Sequence, residues 1–243
     1  MLEQTFEALK TYDWGMDRNV LNPIDEAVVK TRNDAAARKE LESQLLAVLQ
    51  SNAPRDAKDY VCRQLRTMGT AASVPVLEQL LANAELSHMA RYALERIPEP
   101  QAGQALERQL RKLNGQLKIG VISSLGTRGQ GVRLLRPLLQ DPDEAVARAA
   151  AIALGRIASL DADKALASAK PRPALAVVFA DASMSCAEKL LAAGHAKEAK
   201  ATYQRLLKNN PPELVRQAVE RGLKASRQRC EALVITHTWK SIS

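Results

Sequence analysis

Four leucines stand in the same setting at nearly constant intervals: Leu65 in VCRQLRTMG, Leu94 in ARYALERIP, Leu125 in VISSLGTRG and Leu154 in AAIALGRIA, separated by 29, 31 and 29 residues. Four positions before each stands a small or branched apolar residue, Val61, Ala90, Val121 or Ala150, which puts the pair on one face of a helix. After each comes a turn and a second apolar stretch: VPVLEQLLAN, AGQALERQL, GVRLLRPLLQ and ADKALASA. A helix–turn–helix unit repeating at this period cannot bury its apolar stripe alone and must stack on its neighbours. The fold class this predicts is all-α, an α-solenoid or superhelix of antiparallel helix pairs. Aromatic residues make up only 3%, so such a core must be filled by Leu, Ala, Val and Ile, which suits close helix packing.

The fullest copy is DPDEAVARAAAIALGRIA, from Asp141. Asp141 is expected to cap its first helix, with Pro142 at the first helical position and Asp143 and Glu144 at the positive end of the dipole. Val146, Ala150, Ala153, Leu154 and Ile157 form the stripe, and a second helix is predicted over 160–169. These residues, with the weaker copies upstream, resemble the HEAT repeat family, in particular its short bacterial type, across residues 54–170. The resemblance implies paired antiparallel helices in a curved superhelix that usually acts as a protein-binding scaffold. Its motif residues are packing residues, so it says more about fold than about function.

The ends depart from the repeat. Residues 1–53 are expected to form an N-terminal helical cap, with amphipathic helices over 2–12 and 34–50 and a loop, TYDWGMDRNVLNP, between them. Over 171–229, Ala182, Ala187, Leu190, Leu191, Gly194, Ala199, Tyr203 and Leu206 resemble the tetratricopeptide pattern of helix, glycine turn and helix. Residues 230–243, containing ALVITHTWKSIS, are expected to be an irregular tail.

Residues able to do chemistry are sparse. Cys62, Cys186 and Cys230 lack CxxC spacing, and His88, His195 and His237 have no acidic or histidine neighbour at ligand spacing. HEAT-like hydroxylases that bind iron carry His-Glu dipeptides, and none occurs here. The GTRGQG stretch at 126–131 is expected to be a turn between helices, its glycines supplying left-handed backbone. There is no GxSxG elbow and no GKS or GKT loop. The sequence therefore predicts a chain that is not an enzyme, with no catalytic, cofactor-binding or metal-binding residue and no cofactor. Bilin lyases carry similar alanine-rich units, but nothing beyond the shared repeat points to pigment chemistry.

Charge gives the best hint of a partner. The net charge is +8, with 14 Lys/Arg against 8 Asp/Glu in residues 161–243. Arg128, Arg133 and Arg136 cluster near Arg108, Arg111, Lys112 and Lys118 in sequence, and Arg216, Arg221, Lys224, Arg227 and Arg229 run along the last predicted helix. The expected function is a protein–protein interaction scaffold using the second helix of each repeat, with Arg108, Arg111, Arg133 and Arg136 as candidate contacts to an acidic partner segment. The alternative is a basic nucleic-acid-binding protein of DNA-glycosylase-like fold. It ranks second because only Tyr60 and Tyr92 offer rings within the repeats. The longest apolar run, ALAVVFA at 174–180, is too short to span a bilayer. The N-terminus lacks a signal-peptide pattern, so a cytoplasmic chain without membrane contact is expected.

Overall fold

The computed structural model of the protein describes residues 2–208, 211, 213 and 215–226. Arg227, Arg229, Cys230, His237 and the expected tail at 230–243 lie outside the described residues. The described elements are helical, with no strand among them, and the chain divides into two compact units, one ending at Ser124 and one beginning at Leu125.

The first unit holds α1 (Leu2–Lys10), α2 (Asn22–Lys30), α3 (Ala35–Gln50), α4 (Arg55–Met68), α5 (Val74–Leu80), α6 (Ser87–Leu94), α7 (Pro100–Leu110) and the start of α8 (Gly115–Arg128). Helix α4 packs on α6 and α5 on α7, so first helices stack on first helices and second on second. The second unit holds the end of α8, then α9 (Val132–Leu138), α10 (Glu144–Ile157), α11 (Leu160–Ser168), α12 (Ala176–Ala192) and α13 (Ala196–Lys208). There α10 packs on α12, α9 on α11 and α11 on α13, the same alternation. Residues 215–226 are also helical; Val219 and Leu223 are buried, and Gly222 lies against the ring of Tyr203.

The repeat leucines explain the stacking. Leu65, Leu94, Leu125 and Leu154, and the residues four before them, Val61, Ala90, Val121 and Ala150, are all 0% exposed. The fold is all-α and solenoidal in its helix pairing.

Glycine sets how closely two first helices approach. A Cβ on Gly126 would lie 2.9 Å from Ala153 Cα, and one on Gly155 would lie 2.8 Å from Ala182 Cα. Both glycines directly follow a repeat leucine. Alanine favours a helix interior over glycine by about 1 kcal/mol. The Cβ at position 155, however, would meet backbone atoms of Ala182, which cannot rotate away. Gly155→Ala is therefore expected to lose about 1–3 kcal/mol in a urea titration; a gain in stability would show that α10 and α12 separate at no cost.

Three sequence expectations are corrected here. Gly126 is inside α8 rather than in a turn, because that helix runs on to Arg128; only Gly129 and Gly131 of GTRGQG take positive φ, 74° and 88°. The cap of α10 is Asp143, whose side chain accepts from Ala145 N at 2.8 Å, while Asp141 Oδ1 accepts from Asp143 N and shapes the turn before it. Finally, the predicted loop 11–23 ends early, in a 3-10 turn at Arg18–Leu21 followed by α2. Asn22-Pro23 opens that helix instead of breaking the chain, since proline needs no N–H partner in a first turn.

Glu42 was not singled out by the sequence. It is buried on α3 and accepts from Thr70 N at 2.8 Å, from Thr70 Oγ1 at 2.9 Å and from Ser73 Oγ. It thus fixes α3 to the turn between α4 and α5. Arg38, one turn earlier, donates through Nε and Nη2 to Met68 O at the end of α4, at 3.1 and 2.8 Å.

Candidate functional site

The second helices of the second unit carry a groove of about 430 Å³ between α9 and α11. Its formation is local. Pro137 lies within α9 and has no N–H for the Arg133 carbonyl, so the helix cannot continue. The chain tightens into 3-10-type bonds, Leu139 N to Arg136 O, Gln140 N to Pro137 O and Asp141 N to Leu138 O. That turn brings Gln140 Nε2 to Lys170 O, at 3.2 Å. Ser159 caps α11 through Ala162 N, and the helix gives way to Lys170, whose position before Pro171 disfavours further helix. Arg172 donates to Pro142 O at 3.1 Å and to Asp141 O at 2.7 Å, tying this segment to the α9–α10 turn.

The groove has an apolar floor that includes Leu139 and Ala165, and Arg136 and Lys170 among its lining residues. Arg136 is exposed; so is Arg133, one helical turn earlier on α9. Two long cations over a floor of methyl groups form a surface that attracts carboxylates and shelters apolar side chains.

Arg108 and Arg111 belong to the first unit. Arg108 is a bidentate partner of Glu78 on α5, with Nε–Oε1 3.0 Å and Nη2–Oε2 2.5 Å, and Gln109 adds a third bond at 3.2 Å. Those bonds, Arg108's foremost, hold the Glu78 carboxyl below the usual carboxylate range. Arg108 thereby couples α5 to α7. Arg111 caps the end of α7 and is exposed. In the helix at 215–226, Arg216, Arg221 and Lys224 are exposed, and Arg216 lies 3.9 Å from Glu213.

Other candidate groups are already occupied. Tyr60 is buried, donating to Asp25 Oδ1 at 3.0 Å, and Tyr92 lies under the Arg66 guanidinium, 4.4 Å from ring centroid to Cζ. Burial of Tyr60 and the guanidinium on Tyr92 disfavour both as platforms for stacking a base. Cys62 and Cys186 are buried, and desolvation pushes both thiols up to about 12, so both are protonated near neutral pH. His88 is exposed at the start of α6, and His195 is exposed just after Gly194, whose φ of 92° makes the α12–α13 turn. Among the described residues no group of three or more His, Cys, Asp or Glu is placed to hold a metal ion. No described helix is long and apolar enough to cross a membrane.

No family model matches the chain, and no curated protein matches it in sequence. Among solved structures it is similar to human deoxyhypusine hydroxylase in complex with glycerol, at 14% identity, covering 93% of this chain and 98% of that one, with a TM-score of 0.35. The expectation that the chain is not an enzyme is corrected by this finding, because the similar structure is that of an enzyme. The physical reason lies in the repeat: its defining residues fill the core, and core residues are the same whether the exposed positions bind, catalyse or do both.

Proposed function

We propose that the chain binds other proteins, and that the α9–α11 groove receives an acidic, partly apolar segment of a partner. The observation that carries this reading is the apolar floor beside Arg136 and Lys170, with Arg133 exposed on the same helix. Arg111 and Arg108 extend the proposal to the first unit, where Arg108 contributes with its charge already shared with Glu78. Membership of the HEAT family over 54–170, a cap over 1–53, a tetratricopeptide-like pair over 171–229 and a cytoplasmic location belong to the same proposal. An acidic segment suits this surface because its carboxylates meet guanidinium groups, which favour bidentate contacts. Stacked helices hold such contacts at fixed spacing, so several weak ones add up without the cost of ordering a loop.

The test is affinity capture from source-cell lysate, with and without nuclease, using the native chain and an Arg133→Glu/Arg136→Glu variant. Both positions are exposed, so the variant should fold with a stability change within about 0.5 kcal/mol. A defined partner that survives nuclease and is retained about tenfold less well by the variant is the expected result. Recovery that collapses with nuclease would shift the reading to nucleic acid. A partner bound equally by the variant would move the site away from α9.

A further inference from the structure

A segment that fits the α9–α11 groove must carry carboxylates beside exposed apolar side chains, and the chain itself presents one. In the first unit, between α1 and the 3-10 turn at Arg18–Leu21, stands Asp13-Trp14-Gly15-Met16-Asp17. Trp14 is 90% exposed and Met16 46%, and the two aspartates that flank them are exposed as well. An indole left in water forgoes one of the largest burial gains a side chain offers, so its exposure beside a second apolar side chain marks a contact surface.

The display is held by its own backbone. Met16 N donates to Asp13 O at 3.2 Å, and Gly15 takes a φ of 84°, as the third residue of a type II turn must. Trp14 is thus the second residue of a closed turn. Its N–H donates to Asp13 Oδ1 at 2.9 Å, and Asp17 Oδ1 accepts from Asn19 N at 3.0 Å, capping the 3-10 turn that follows. Each carboxylate uses Oδ1 on the backbone, which leaves Oδ2 for an outside donor. Arg18, the neighbouring cation, is already paired with Asp25 at 2.8 Å. The groove has the matching chemistry. Of the described residues that line it none is acidic, whereas Arg136 and Lys170 are both exposed cations over the Leu139 and Ala165 floor. Its volume of about 430 Å³ is ample for an indole.

We propose that the occupant of the groove is a second copy of this chain: Trp14 of one copy seats on the Leu139 and Ala165 floor of the other, and Asp13 and Asp17 meet Arg133, Arg136 and Lys170. This rests on the reading of the groove as a receptor for an acidic, partly apolar segment, and it names that segment. Guanidinium and ammonium groups suit both halves of it, pairing with the carboxylates and lying over the indole face. A turn closed by its own hydrogen bonds loses little freedom on docking. Because turn and groove are different surfaces, the contact is heterologous. Each pair of copies keeps one turn and one groove open, so association runs on to longer assemblies or closes into a ring.

The test is sedimentation velocity of the full chain at concentrations from about 5 to 200 μM, the range of weak specific contacts. Concentration-dependent association is expected. Trp14→Ala, at a solvated position, and Arg133→Glu/Arg136→Glu should each weaken it about tenfold or more, with unchanged circular dichroism spectra. Mixed in equal amounts, the two variants should pair again, because one keeps its groove and the other its turn. That mixture should stop at one-to-one pairs, since the remaining turn and groove are both defective. A native chain that stays monomeric, association kept by either variant alone, or variants that do not pair on mixing would each overturn the proposal. The reading beneath it fails separately. If the chain is monomeric while Arg133→Glu/Arg136→Glu still loses a partner captured from lysate, only self-association falls; if that variant loses nothing in either assay, both fall.

Discussion

Leu154→Ala is expected to destabilise the second unit by about 2–5 kcal/mol, the range for deleting a buried leucine side chain where neighbours cannot fully close the gap. Leu154 is 0% exposed, and its helix is held close to α12 by Gly155 against Ala182. That contact is between backbones, so the helices have little room to slide into the space the leucine leaves. The measurement is the shift in urea midpoint, followed by circular dichroism, with the slope checked for constancy. Ile152 in the same helix is the internal control. It is 42% exposed on the opposite side, and Ile152→Ala should cost about 1 kcal/mol or less. Equal effects at 152 and 154 would mean that the repeat leucine is not the packing centre of its hairpin.

Glu42→Ala is expected to cost about 3 kcal/mol in the first unit, through loss of its three hydrogen bonds and the donors left without partners. Thr70 N, Thr70 Oγ1 and Ser73 Oγ all point at this carboxylate from the turn between α4 and α5. A cavity the size of the lost side chain does not by itself return three acceptor sites to those donors. Glu42→Gln keeps one acceptor oxygen and should recover about half of the loss. The comparison of the two variants in the same urea titration checks this; identical stabilities would show that bulk rather than acceptance is what position 42 supplies.

Much of the architecture was legible because packing at a fixed period leaves a periodic trace. Leu65, Leu94, Leu125 and Leu154 occupy equivalent positions, and equivalent positions need equivalent residues, so the stacking of α4 on α6 could be read from spacing. Helix α2 left no such trace. It buries only Ile24 and Val28, a single i, i+4 pair, too short to show periodicity. What steadies it is Asp25, reached by Tyr60 and Gln64 from α4, a contact across 35 and 39 residues that no local pattern announces.

The candidate sites divide in the same way. Exposed arginines are visible in a sequence as unbalanced charge, which is why Arg111, Arg133 and Arg136 could be named in advance. Arg108 looks the same in sequence, yet its guanidinium is engaged by Glu78, thirty residues upstream. The apolar floor beneath Arg136 depends on Leu139 and Ala165 from successive second helices. The sequence by itself determined the helical repeat, because burial of one stripe per hairpin constrains residue type at every period. Only the tertiary structure decided which charges and rings are engaged, because that depends on partners brought together across the chain.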